Sequence, residues 1–91
     1  MSILHLVSVN LHHRPELTDL VRQSAAAEDS ILFLGEGIYS LAAPLALPGR
    51  HFVLSSDAAA SGFQPVSPSR LTDYAGMLQL SLEHERCITW H

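Results

Sequence analysis

The sequence predicts a three-layer α/β domain, a mainly parallel sheet of four or five strands with helices on both sides, and reads as a single domain over residues 1–91. Three observations predict it. Ile31, Leu32, Phe33 and Leu34 form an unbroken apolar run that stops at Gly35-Glu36-Gly37. Strands buried on both faces have that composition, whereas half-solvated antiparallel strands alternate polar and apolar residues. Short apolar runs recur at residues 3–9 and 52–54, and segments with apolar residues at helical spacing separate them. The resulting order, β-α-β-α-β-α-β-α-β, folds into a parallel sheet through right-handed crossovers.

Taken in order, residues 3–9 make the first strand, apolar except for His5 and Ser8. His5 inside such a run reads as a core histidine with a hydrogen-bonded ring nitrogen rather than as a ligand. Asn10 to Arg14 is a polar loop, and Pro15 suits the first turn of a helix, where its missing N–H is not needed. Leu17, Leu20, Val21 and Ser24 follow at helical spacing, with Glu16 and Asp19 near the positive end of the helix dipole. After the central strand and its glycine turn, residues 38–43 suit a short helix ended by Pro44, and Pro48-Gly49 a turn. Residues 50–54 supply the third strand. Ser55, Ser56 and Asp57 offer helix caps for Ala58 to Ala60, with Gly62 as the left-handed stop. Residues 63–66 read as a brief extended piece suited to a sheet edge, because Pro65 interrupts it. Ser67-Pro68-Ser69 introduces the last helix, with Leu71, Tyr74, Ala75, Leu78 and Leu82 on one face and Asp73 near its favourable end. Met77 and Leu80 fall off that stripe, free to face a sheet flank or a second chain. Residues 87–90 close the chain as a terminal strand.

At 91 residues the chain holds one core with little surplus stability. Hydrophobic residues make up 47% and charged ones 15%, a surface poor in charge for a solitary small domain, which favours a subunit with buried interfaces. A net charge of -4 leaves no phosphate-neutralising patch, so direct nucleic-acid binding is not expected. The lone Cys87 precludes an internal disulfide framework and suits a reducing, cytoplasmic setting. The opening residues lack a basic leader, and residues 41–47 are too short, and broken by Pro44, to span a bilayer, so no membrane association is expected.

Few residues carry chemistry. Glu36 between Gly35 and Gly37 stands at the carboxyl end of the central strand, where binding and catalysis collect in open parallel sheets; a solvated glutamate between two turn glycines fits equally. His12 and His13 invite a metal reading, but adjacent side chains diverge and no other ligand stands at a familiar zinc spacing. They read instead as polar lining or solvent-exposed groups, and no metal or cofactor is expected. Cys87 has Arg86 beside it but starts a strand instead of sitting at a strand-to-helix turn. It is expected to be an inert, partly buried thiol, with a sulfur carrier as the minor reading. Trp90 is expected to be a packing or interface anchor.

Four segments together resemble the TusB/DsrH family of sulfur-relay subunits: I-L-H-L with R-P-E-L-T-D-L; E-D-S-I-L-F-L-G-E-G-I-Y; H-F-V-L-S-S-D-A-A-A-S-G-F; and L-T-D-Y-A-G-M-L-Q-L-S-L-E-H followed by Trp90. The resemblance covers nearly the whole chain. It implies a flavodoxin-like, DsrEFH-like fold and an accessory place in a cytoplasmic sulfurtransferase heterohexamer. Its partners would be TusC/DsrF-like and TusD/DsrE-like subunits, with sulfur-carrier proteins met indirectly. In the Tus branch the sulfur goes toward 2-thiolation of the tRNA wobble uridine, and in the Dsr branch toward dissimilatory sulfur oxidation. The carrier cysteine belongs mainly to the TusD/DsrE-type partner. Some DsrH chains carry another in the first helix, where this chain has Val21, which favours the Tus branch.

On that reading the chain has no catalytic residue of its own, and Gly35, Glu36, Gly37, Met77 and Trp90 are the candidate partner-interface residues. Two other classes stay open. One is a stand-alone thiol enzyme using Cys87 with a histidine base. The other is a phosphate- or small-molecule-binding module built on the glycine turn, although the chain lacks G-x-G-x-x-G and the P-loop lysine.

Overall fold

The apolar run before the glycine turn is the central strand of the sheet. A computed structural model of the chain describes residues 2–62 and 69–91. It contains β1 (Ile3–Val7), α1 (Pro15–Ser24), β2 (Ser30–Phe33), β3 (Arg50–Leu54), α2 (Ser55–Ser61), β4 (Arg70–Thr72), α3 (Tyr74–Glu83) and β5 (Arg86–Trp90), with 3-10 helices at Leu11–His13 and Gly35–Ala42. The strand order is β4-β3-β2-β1-β5 and every pairing is parallel. All four residues of β2 are buried, as its composition requires of a strand covered on both faces.

The connections from β1 through β4 step one way across the sheet. Their helices contribute Leu17, Val21, Ile38, Leu41 and Ala58 to one cluster with Val7, Ile31, Phe33 and Val53 of the strands. The last connection, through α3, returns across the whole sheet on the opposite face, where Leu80 and Met77 meet Leu4, Leu6, Leu32 and Phe52. Reversing both the direction and the face preserves the hand of the crossover.

His5 is fully buried and hydrogen-bonded at both ring nitrogens, as expected of a core histidine. Trp90 Nε1–H donates to His5 Nδ1 at 3.0 Å, which assigns the ring proton to Nε2, and Nε2–H donates to Asp29 Oδ2 at 3.0 Å. Asp29, 1% exposed, also accepts the backbone N–H groups of Ile3 and Ala26. Burial pushes its carboxyl up, but the donors from His5, Ile3 and Ala26 outweigh that and hold it below the usual carboxylate value. A single side chain thus ties β1 and the end of α1 to the start of β2, and β5 joins the same network through Trp90.

Several sequence-based expectations change. The first strand ends at Val7, because Leu11 to His13 turn into a 3-10 helix capped by Asn10 Oδ1 on the His12 N–H. Ser55, Ser56 and Asp57 do not cap α2, which begins directly after Leu54 with no side-chain cap; Gly62, in the left-handed conformation, ends it as expected. The last helix begins at Tyr74 instead of Ser69 or Pro68. Asp73 is its N-cap, accepting the Gly76 N–H at 2.7 Å, and Leu71 lies in the edge strand β4. The extended piece expected at residues 63–66 lies outside the described residues. Among the described residues, no helix is long and apolar enough to cross a membrane.

Candidate functional site

The carboxyl edge of the sheet is organised by the glycine turn. Gly35 has φ +53°, and its N–H donates to Asp57 Oδ2 at 2.7 Å, tying the start of the second 3-10 helix to α2. Gly37 packs directly on β1: a Cβ there would collide with the Val7 carbonyl oxygen. The two glycines serve different ends, one a left-handed turn and the other a close backbone approach. Ser40, fully buried, accepts the Leu11 N–H and donates to the Val9 carbonyl, and His12 Nε2–H donates to the Ser40 carbonyl. The loop after β1 is therefore stitched to the helix that follows β2.

Between that helix and α2 opens a groove of about 310 Å³ lined by Gly35, Glu36, Ile38, Tyr39, Asp57, Ala60 and Ser61. Glu36 is exposed on its rim. The Asp57 carboxylate is engaged by Gly35, and the Ser61 hydroxyl donates to the Ala58 carbonyl at 3.0 Å. This lining contains carboxylates, an aromatic ring and small side chains, and neither thiol nor imidazole. Such a set can receive a protein loop or a small polar group, and it lacks the thiol that sulfur transfer requires.

The other candidate residues stand elsewhere. His12 is held by Ser40, His13 is exposed, and among the described residues no group of three His, Cys, Asp or Glu side chains could hold a metal ion. Met77 is half-buried against the Leu4–Leu32–Phe52–Leu80 cluster. Trp90 is half-buried against the larger cluster, its ring plane within 18° of parallel to that of His5, with the ring centroids 6.2 Å apart.

Cys87 departs from expectation: it is exposed, not partly buried. It pairs with Leu4 near the amino end of β1, whereas the glycine turn packs on Val7 at the carboxyl end, so the thiol and the groove occupy opposite ends of the sheet. Successive strand residues point to opposite faces, which turns Arg86 away from Cys87 despite their adjacency in sequence. Sequence reasoning located Glu36 but missed Tyr39, Asp57, Ala60 and Ser61. Asp57 was readable only as a cap, since a bond to a residue 22 positions away leaves no local signal.

A solved structure shares this architecture. The solution NMR structure of protein Tm0979 from Thermotoga maritima superposes with a TM-score of 0.71 and 27% identity, over 93% of this chain and 95% of that one. No curated protein matches the chain. The family described as "DsrH like protein" matches residues 13–87, from the 3-10 helix after β1 to Cys87 in β5. With the parallel five-stranded sheet and the glycine turn in the matched span, the chain belongs to the DsrH-like family, which places it among sulfur-relay-related subunits.

Proposed function

We propose that the chain is an accessory subunit of a cytoplasmic sulfurtransferase complex. It would assemble with TusC/DsrF-like and TusD/DsrE-like chains in a heterohexamer whose relay leads to 2-thiolation of the tRNA wobble uridine. The observation that carries this reading is the separation of thiol from groove. The groove at Gly35–Gly37 sits at the carboxyl edge of the sheet, the edge at which parallel α/β domains bind ligands, yet its lining has no sulfur nucleophile, and Cys87 is at the other end of the sheet. Val21, at the first-helix position where some DsrH chains carry cysteine, is fully buried in the core, so α1 offers no thiol either. A partner's cysteine-bearing loop is the fitting occupant of a groove that can receive but not react.

The exposure of Cys87 favours a second reading, in which its thiol accepts sulfur itself. One reconstitution separates the two. The chain is co-expressed with the two related subunits, the complex is isolated by size exclusion, and transfer of labelled persulfide sulfur is followed with Cys87→Ser in place. The accessory reading expects a stable complex and undiminished transfer. Loss of transfer with the complex intact assigns the sulfur to Cys87, and failure of the three chains to associate overturns the accessory reading.

A further inference from the structure

The carboxyl end of β5 is held to the sheet by a bond that exists only while His5 is uncharged. An indole N–H can only donate, so His5 Nδ1, 3.0 Å from Trp90 Nε1, carries a lone pair, and the ring proton stays on Nε2, facing Asp29. A second proton has one place to go, Nδ1. There it would set two donors against each other at hydrogen-bond distance, and one of the two groups must leave.

Their surroundings decide which. His5 is fully buried in β1 between β2 and β5, and Asp29 Oδ2 anchors its far nitrogen. A proton added at Nδ1 makes the ring a cation against a carboxylate, which favours the ring staying in place. Trp90 is half-buried on an edge strand that has a neighbour on one side only. Beyond the strand pairing and its packing on the larger cluster, it is tied by Ser8, whose N–H and hydroxyl donate to its carbonyl at 3.2 and 3.3 Å. The amino end of β5 has separate ties, through the Glu85 N–H to the Ser2 carbonyl and the pairing with Ile3 and Leu4.

We infer that His5 and Trp90 form a proton-operated latch: protonation of His5 at Nδ1 releases the indole and lifts the carboxyl end of β5 from β1, while the rest of the sheet stays folded. The latched state keeps Nδ1 bare and the released state does not, so falling pH favours release. Other charges on this face stand apart from the ring. Arg22 and Asp19 of α1 are exposed and paired with each other, as are Glu16 and Arg14. His51 of β3 is separated from His5 by Ile31, and Arg86 of β5 is exposed, opposite Ile3. Val7, opposite Trp90, is also the residue on which Gly37 packs, so release bares a strand edge beside the groove, where another strand could pair. The inference goes beyond the sulfur-relay reading and does not depend on it.

Trp90 is the only tryptophan in the chain, so its emission reports the latch directly. The full chain is titrated from about pH 8 to about pH 5, the range in which imidazoles change charge. The expected result is a red shift of the emission with an unchanged far-UV spectrum. Over the same range, protection of the indole N–H from exchange, measured against free tryptophan, should fall at least about tenfold. His5→Gln, which offers an acceptor to the indole and a donor to Asp29 but takes up no proton, should hold the emission constant. His51→Gln, which removes the other imidazole on this face, should leave the shift in place. In the unaltered chain the NMR signals of the His5 ring and the Trp90 indole should move with one midpoint, a result that needs no variant to fold. Emission that stays fixed until the far-UV signal is lost overturns the inference. So do a shift that persists in folded His5→Gln or vanishes in His51→Gln, and midpoints that differ.

Discussion

The two faces of the sheet solve the same problem with different means. Among the described residues, α1, α2 and the Gly35–Ala42 helix cover one face with a continuous cluster of eleven buried residues that includes Phe33, Ile31 and Val53. On the other, the described cluster under α3 has four. The first face also carries the backbone-to-backbone approach of Gly37 on Val7, and the second carries a polar junction in which His84 hydrogen-bonds Ser2 and Ser30 at 2.9 Å each. A fully covered face resists any change of volume, whereas a half-covered one keeps apolar surface in reserve for another molecule. The stability of the fold is therefore expected to reside on the first face, and association on the second.

The largest effect that would break this contrast is at Gly37. A Cβ there meets the Val7 carbonyl, and neither backbone can move without disturbing the centre of the sheet. Gly37→Ala is expected to cost about 4 kcal/mol, a large share of the total for a chain this size. Gly35→Ala is its control. Nothing lies within 4 Å of the added methyl, so only the left-handed φ of +53° matters, and the cost falls to about 1 kcal/mol. Urea unfolding of the pair measures both, and equal losses would show that the close approach is not what the site requires. Next comes Phe33→Ala, at about 3 to 4 kcal/mol, against Leu80→Ala at about 2, since a site on the thinly covered face has more freedom to collapse. The reverse order in the same urea titration would place the stability on the wrong face.

How much of this was legible in the sequence depends on whether the signal was local. Runs such as Ile31–Leu34 and Phe52–Leu54 announce buried strands because two-sided burial leaves no polar residue to confuse the pattern, and Pro15 marks its helix start by a backbone property of its own. In α3 an apolar stripe is a real signal with an ambiguous meaning. Tyr74, Leu78 and Leu82 share a face, but periodicity cannot say what covers a face, and here the sheet takes Leu80 and Met77. The strand Arg70–Thr72 has no apolar run because it is a three-residue edge strand with solvent on its outer side. Its neighbour Asp73 carried a readable sign, an acceptor directly before a long apolar segment, which marks an N-cap more naturally than a helix interior. At the candidate site the turn glycines were visible, but the groove was not, since its second wall comes from α2.

The smallest predictions sharpen the contrast through pH. Asp29 has its carboxyl held below the ordinary value, so the stability it lends is complete above the unfolded pKa of ~3.9 and is lost as pH falls through the folded one. Asp29→Asn should abolish that acid transition and cost about 2 kcal/mol at neutral pH, because an amide N–H₂ would meet the donors from His5, Ile3 or Ala26. His51 belongs to the well-covered face, in line with Ile31 and edge-on to Phe33 at 5.8 Å. Burial pushes its imidazole below the usual histidine value, against the opposite pull of the Leu47 and Pro48 carbonyls. The unfolded chain therefore takes up a proton that the fold resists, and stability, complete above pH ~6.5, should begin to decline as pH drops below it. His51→Gln, which keeps an N–H able to reach the Leu47 carbonyl, should remove this first decline while leaving the Asp29 step, at lower pH, in place. Thermal melts between neutral pH and pH 3 resolve the two. A first decline that survives in His51→Gln would show that another group, not the His51 imidazole on the well-covered face, causes it.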